Sequence, residues 1–184
     1  RVKHAAWFAV AVLFLPAADL ARFAVLGFSG AAVTAPEILA ATVGVFAMFF
    51  VTAVFEEAGW QAYALPAMQA RWSALESSLW LGVVWAAWHV IPYLQMGHDA
   101  AWIVWQCAFS VAARVVMVWL TNNTGSVLIA VVFHAMSNVS AFVFADMGTG
   151  YDPFAAFCFT GAGAALAVLL WGPATLSRFR FARS

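Results

Sequence analysis

An all-α, polytopic transmembrane helical bundle is the fold class this sequence predicts, and three observations predict it. The 184 residues are 66% hydrophobic and 9% charged, against about 25% charged residues in a soluble domain. Apolar runs close to the roughly 20 residues that cross a bilayer recur along the chain. Proline, glycine and asparagine signals separate those runs.

The first span is read from about Ala5 to Leu26, interrupted by Pro16, Asp19 and Arg22. It follows Arg1-Val2-Lys3-His4, an opening without an initiator Met. No small-residue cleavage site leads into a polar mature domain, so the run reads as a span, not a signal peptide; residues upstream of Arg1 are expected. The second span starts near Glu37, after Pro36, and runs to Leu65, where Pro66 is expected to stop it. The third covers Glu76 to Leu94 and the fourth Ala101 to Leu120. The turn Asn122-Asn123-Thr124-Gly125 precedes the fifth, Ser126 to Ala145. The sixth runs from Phe154 to Trp171, between Asp152-Pro153 and Gly172-Pro173. Residues 1–184 form one transmembrane domain. Gly44, Gly161 and Gly163 are read as close-packing positions, and Trp85 and Trp88 as packing between helices. Cys107 and Cys158 are read as small buried hydrophobes.

The 8 basic and 8 acidic side chains cancel, giving no case for nucleic-acid binding. Their placement gives orientation instead. Arg1, Lys3, Arg71, Arg178, Arg180 and Arg183 fall on one side, with Arg114 counted close to it, and Arg22 alone on the other. The positive-inside rule puts both termini of this chain in the cytoplasm.

An ionisable residue inside a span costs about 2.5 to 3.5 kcal/mol on insertion scales and marks a functional site by default. Glu56 and Glu57 on the second span, His89 on the third, and His134 with Asn138 on the fifth stand out. From the cytoplasmic side Glu56 lies about 13 Å deep, His134 about 12 Å and His89 about 20 Å. His134 and Asn138 are one turn apart, as are Trp85 and His89, and Glu57 and Gln61. Asp19 and Arg22 can pair locally; His4 and His98 lie near span ends and read as solvated.

A carboxylate beside an imidazole can hold a water and take its proton. A second His with an Asn one turn on can donate to a developing oxyanion. Those are the parts of an amide hydrolase without a covalent nucleophile. The sequence has no HExxH zincin motif, no GxSG-type serine and no GxGD aspartate motif. A zinc site from Glu56, His89 and His134 stays open, because two His and one Glu are legitimate ligands.

These residues, in this order, resemble the CAAX protease and bacteriocin-processing (CPBP, or Abi) family of intramembrane proteases. Glu56-Glu57-Ala58-Gly59-Trp60-Gln61, with Leu65-Pro66 downstream, resembles the EExxxR motif. Trp85 to His89 resembles FxxxH with Trp in place of Phe, and His134 to Asn138 resembles HxxxN. The similarity covers about Phe50 to Ser140, within a protease-like core of about residues 37–145.

The resemblance implies a helical fold with a conical cavity open to the cytoplasm. It implies that Glu56 and His89 position and activate water and that His134 and Asn138 stabilise the oxyanion; no cofactor is expected, with zinc possible. It implies a peptide or protein substrate, of which a prenylated C terminus is one form, and a bacterial cell membrane. Family members often have about eight spans, so six fits a chain trimmed at its N terminus. The motif Arg is Gln61 here, so Glu57 lacks that charge partner. Gln61 could bond Glu57 one turn away, with Arg71 or Arg114 as substitute cations. The rival reading is a non-catalytic membrane binding or bacteriocin-immunity protein that keeps the polar cavity. A third is a transporter or scaffold subunit that uses the polar cluster for helix pairing.

Overall fold

The computed structural model describes residues 6–28, 39–145 and 151–177. The described residues form helices α1 (Ala6–Phe28), α2 (Leu39–Glu57), a π-helical segment (Ala58–Ala64), α3 (Leu65–Gln69), α4 (Ala74–Gln95), α5 (Ala100–Thr124), α6 (Val127–Ala145) and α7 (Pro153–Trp171). Five stretches are long and apolar enough to cross a membrane: Ala6–Phe28, Val43–Gln69, Ala74–Gln95, Ala100–Thr124 and Pro153–Trp171. A shorter apolar stretch, Val127–Val143, lies in α6. In hydrocarbon every backbone polar group needs an internal partner, which helices supply. The chain is a multi-pass integral membrane protein with an all-α bundle. The starts expected at Ala5 and Glu37 lie outside the described residues, as do His4, Arg1, Lys3, Arg178, Arg180 and Arg183.

Proline did not end the second span. Its helix continues through a π turn into α3, with Pro66 in the first turn of α3. There proline is tolerated, because a first-turn N–H has little use for an intrahelical acceptor. Pro16 and Pro92 likewise sit inside α1 and α4. The expected turn at Asn122 to Gly125 is shorter: α5 runs to Thr124, and Gly125 closes it with φ 67°, a left-handed conformation that glycine adopts freely. Helix α4 begins at Ala74, two residues before Glu76, because Ser73 and Glu76 cap each other's backbone N–H groups.

Helix α5 is the hub, packing on α4, α7 and α6, while α2 and α1 pack on α6. Val115, Val116, Met117, Val118 and Leu120 are buried within it. Helices α4 and α5 approach closely at Gly82 of α4, where a Cβ would stand 2.8 Å from the Val111 Cα of α5. Gly163 is also a close contact, against the Phe14 ring of α1. Gly44 is not: a Cβ there meets nothing within 4 Å, and at Gly161 it meets Phe157 at an ordinary 3.5 Å. Trp85 is buried as expected, but Trp88 is 56% exposed, on the outer face of α4. Cys158 is exposed and Cys107 half-buried, so neither is a core residue.

One end of the bundle is tied by polar groups. Gln69 and Asn122 exchange amide hydrogen bonds, and Asn122 and Asn123 donate to the carbonyls of Thr175 and Leu176. The N–H groups of Ala74 and Leu75 donate to the carbonyls of Ala174 and Pro173. The turn after α7 thereby satisfies donors at the start of α4 that have no partner in their own helix. Trp7, Trp119 and Trp171 pack edge-on at the same end.

Candidate active site

Glu56 and Glu57 are the last two residues of α2, and the π segment begins directly after them. A π turn spaces its hydrogen bonds one residue wider than an α turn and is often found at functional sites; here the Leu65 N–H reaches back to the Trp60 carbonyl. Glu57 is fully buried and divides its carboxylate between two helices. Oε2 accepts from Arg114 Nη1 of α5 at 2.5 Å, and Oε1 accepts from His134 Nδ1 of α6 at 2.9 Å. A carboxylate oxygen accepts here, so His134 carries its proton on Nδ1 and turns Nε2 away from Glu57.

Glu56, half-buried, accepts from the indole Nε1 of Trp85 at 2.9 Å. Trp85 stands on α4 one turn before His89, and its backbone carbonyl accepts from His89 Nδ1 at 2.8 Å. A carbonyl only accepts, so His89 also carries a proton on Nδ1, and Nε2 presents a lone pair in the neutral ring. The Trp85 ring lies edge-on to both imidazoles, 5.3 Å from His89 and 5.1 Å from His134. Glu56, His89 and His134 are thus gathered around one indole. Asn138 follows His134 by one turn of α6 and is half-buried.

One expectation for this region is corrected and another is narrowed. Gln61 is buried, but its amide nitrogen goes to Thr121 Oγ1 of α5 at 3.2 Å, not to Glu57. The π winding and the nearness of α5 favour that partner. Of the two substitute cations expected for Glu57, Arg114 is the one that pairs with it, and Arg71 lies exposed in the turn before α4. Arg114 is completely buried, so it does not belong with the charges that set orientation. The default that flags charges inside spans applied to Arg114 as much as to Glu57, and would have found it.

Among the described residues no group of three or more His, Cys, Asp or Glu is placed to hold a metal ion. Both imidazoles engage Nδ1 and leave Nε2 free, as metal-binding histidines also do, but Glu56, His89 and His134 stand around an indole and are not gathered as a ligand group.

A separate cavity of about 660 Å³ opens among α1, α5, α6 and α7, lined by Leu15, Asp19, Arg22, Phe109 and Phe159 among others. It touches the site's helix at Ser137 and Ser140. The Ser140 hydroxyl donates to the Asp19 carboxylate in a short hydrogen bond, so Asp19 bridges to α6 in addition to its proximity to Arg22. His98 stacks flat on Trp102 at 3.6 Å and is half-buried. Tyr151 donates to Gln106 Oε1 at 2.8 Å, and burial raises its phenol above the usual range.

A family profile described as "Type II CAAX prenyl endopeptidase Rce1-like" matches residues 38–140. The chain is similar to a protein named CAAX prenyl protease 2 from Methanococcus maripaludis, 26% identical over 108 residues. That match covers 53% of this chain and 40% of the relative, so it spans less than half the relative's length. The matched segment contains all four motif side chains, from Glu56 to Asn138. With the motif order, the helical bundle and a profile match over more than half of its residues, the chain belongs to the CAAX protease (CPBP) family, in its type II CAAX prenyl endopeptidase Rce1-like branch.

Proposed function

We propose that this chain carries the reaction centre of an intramembrane endopeptidase, which hydrolyses a peptide bond with a water activated by Glu56 and His89. The observation that carries this reading is the single Trp85 ring with Glu56 on its Nε1 and two imidazoles packed T-shaped against it. In the proposed reaction Glu56 and the Nε2 of His89 hold the water and take its proton as oxygen attacks the carbonyl carbon. The oxyanion accepts hydrogen bonds from His134 Nε2 and the Asn138 amide. Donation from Nε2 requires a second proton on the His134 ring, and Glu57 at Nδ1 is the counter-ion of that form. Collapse of the tetrahedral species breaks the C–N bond, and the proton held by Glu56 and His89 passes to the leaving amine. No covalent enzyme intermediate forms, and no metal takes part.

The substrate is a peptide or protein segment reaching this depth from the cytoplasmic face. The relative's name points to prenylated CAAX termini as the first class to try. The test is cleavage of prenylated and unmodified peptide libraries by the purified protein, with and without a chelator. Glu56→Gln is expected to lower kcat by about 10²- to 10⁴-fold, and His89→Ala and His134→Ala to act alike, with each variant still inserted. Resistance to the chelator supports the metal-free reaction; loss on chelation points to zinc. Full activity in Glu56→Gln sinks the reading. Wild-type protein that cleaves neither class returns the choice to a non-catalytic binding or immunity role.

A further inference from the structure

We propose that Arg114 is a positioning residue for this reaction, one guanidinium that orients both carboxylates of the pair; the inference rests on the hydrolase reading above. Arg114 rises from the middle of α5 with no exposed surface. Its Nη1 holds Glu57, whose other oxygen holds His134. Its Cζ lies 4.4 Å from the centroid of the Trp85 ring, whose Nε1 holds Glu56. Two chains of contact leave this one group. One runs through Glu57 to the proposed oxyanion donor, and the other through Trp85 to the proposed base.

Stability alone is a poor account of this arrangement. The Nε and Nη2 groups of Arg114 are buried without a hydrogen-bond partner, and an unmet buried donor is costly. A buried ion pair can often be replaced by packed apolar groups without loss of stability. What an apolar replacement cannot supply is a planar cation that faces an indole on one side and bonds a carboxylate at its edge. At Gly82 an added Cβ would meet the Arg114 Cβ at 3.3 Å, so the missing side chain lets α4 lie close beside the root of Arg114.

The experiment is a double-mutant cycle on kcat and KM in the purified protein, using Arg114→Lys and Trp85→Phe. Arg114→Lys keeps a charge near Glu57 and loses the plane over Trp85. Trp85→Phe keeps an aromatic face and loses the donor to Glu56. Arg114→Lys is expected to lower kcat at least about tenfold with KM within about threefold, the mark of an interaction lost in the transition state. The double variant is expected to lose about tenfold less than the product of the two single losses, because both act on Glu56 through one side chain. Wild-type kcat in a folded Arg114→Lys overturns the inference, as do losses that multiply independently.

Should Arg114→Lys fail to insert, Arg114→Gln combined with Gln61→Arg returns a cation toward Glu57 from the π segment without the stack. Folded protein with kcat still down at least about tenfold supports the inference, and full kcat overturns it. An inactive wild type overturns the hydrolase reading together with this inference. An active wild type beside a fully active Arg114→Lys overturns this inference alone. Arg71→Gln, at the exposed cation, serves as the control and is expected to keep wild-type kcat.

Discussion

Glu57 gives one oxygen to α5 and the other to α6, so its removal strands partners on two helices. Glu57→Ala leaves the Arg114 cation buried and unpaired, which costs about 3–5 kcal/mol. We expect a clear fall in the thermal midpoint in detergent and loss of protease resistance along with activity. Thr121→Val, which removes only the acceptor for the Gln61 amide, should cost about 1 kcal/mol and leave kcat close to wild type; equal destabilisation by the two variants would contradict the ranking. Glu56, His89, His134 and Asn138 were legible in the sequence because polar groups inside apolar runs are rare and costly. Arg114 was one of two candidate cations for Glu57, but the choice between it and Arg71, and the bond from His134, were not legible, because sequence spacing gives neighbours along a helix and says nothing about which side chain a separate helix brings. Gln61 and Trp85, the two positions that depart from the motifs, both prove to be tied to α5.

Helices were legible from the lengths of their apolar runs, and their ends less so. Ser73 and Glu76 form a capping signal that a hydropathy reading passes over, and Pro66 is a stop signal that a π turn and a new first turn accommodate. The glycines show the same limit: Gly82 carries a close α4–α5 contact, whereas Gly44 faces open space. Gly82→Ala forces its new methyl against the α5 backbone and is expected to cost about 1–3 kcal/mol. Because Trp85 lies three residues on, on α4, activity should fall with it. Gly44→Ala meets nothing and should be neutral or stabilising by up to about 1 kcal/mol. Thermal unfolding of both variants in one detergent checks the pair, and an intact Gly82→Ala would argue that α4 and α5 are less tightly set.

Across the whole molecule, composition alone was enough for the bundle and for its residence in a membrane. Orientation rests on charge counting, much of it on residues outside the described ones. The described helices do place Arg71 at the same end as the start of α1 and the close of α7. A single cysteine at the exposed Trp72, in a background lacking Cys107 and Cys158, is expected to react with an impermeant thiol reagent only from the cytoplasmic side. Labelling from outside the intact cell would invert the orientation and with it the face from which substrate enters.

The polar tie between the turn after α7 and the start of α4 also bears on the order of synthesis. Glu56, Glu57, His89, Arg114, His134 and Asn138 all leave the ribosome before Thr175 and Leu176, whose carbonyls receive Asn122 and Asn123. A nascent chain therefore holds every residue of the candidate site while that end of the bundle is still unfastened. A chain stopped after Trp171 should insert with all of them present, yet be cut by added protease in the turn between α3 and α4 sooner than the full chain. If the fastening is what sets the site, the candidate site is assembled only when translation has passed α7.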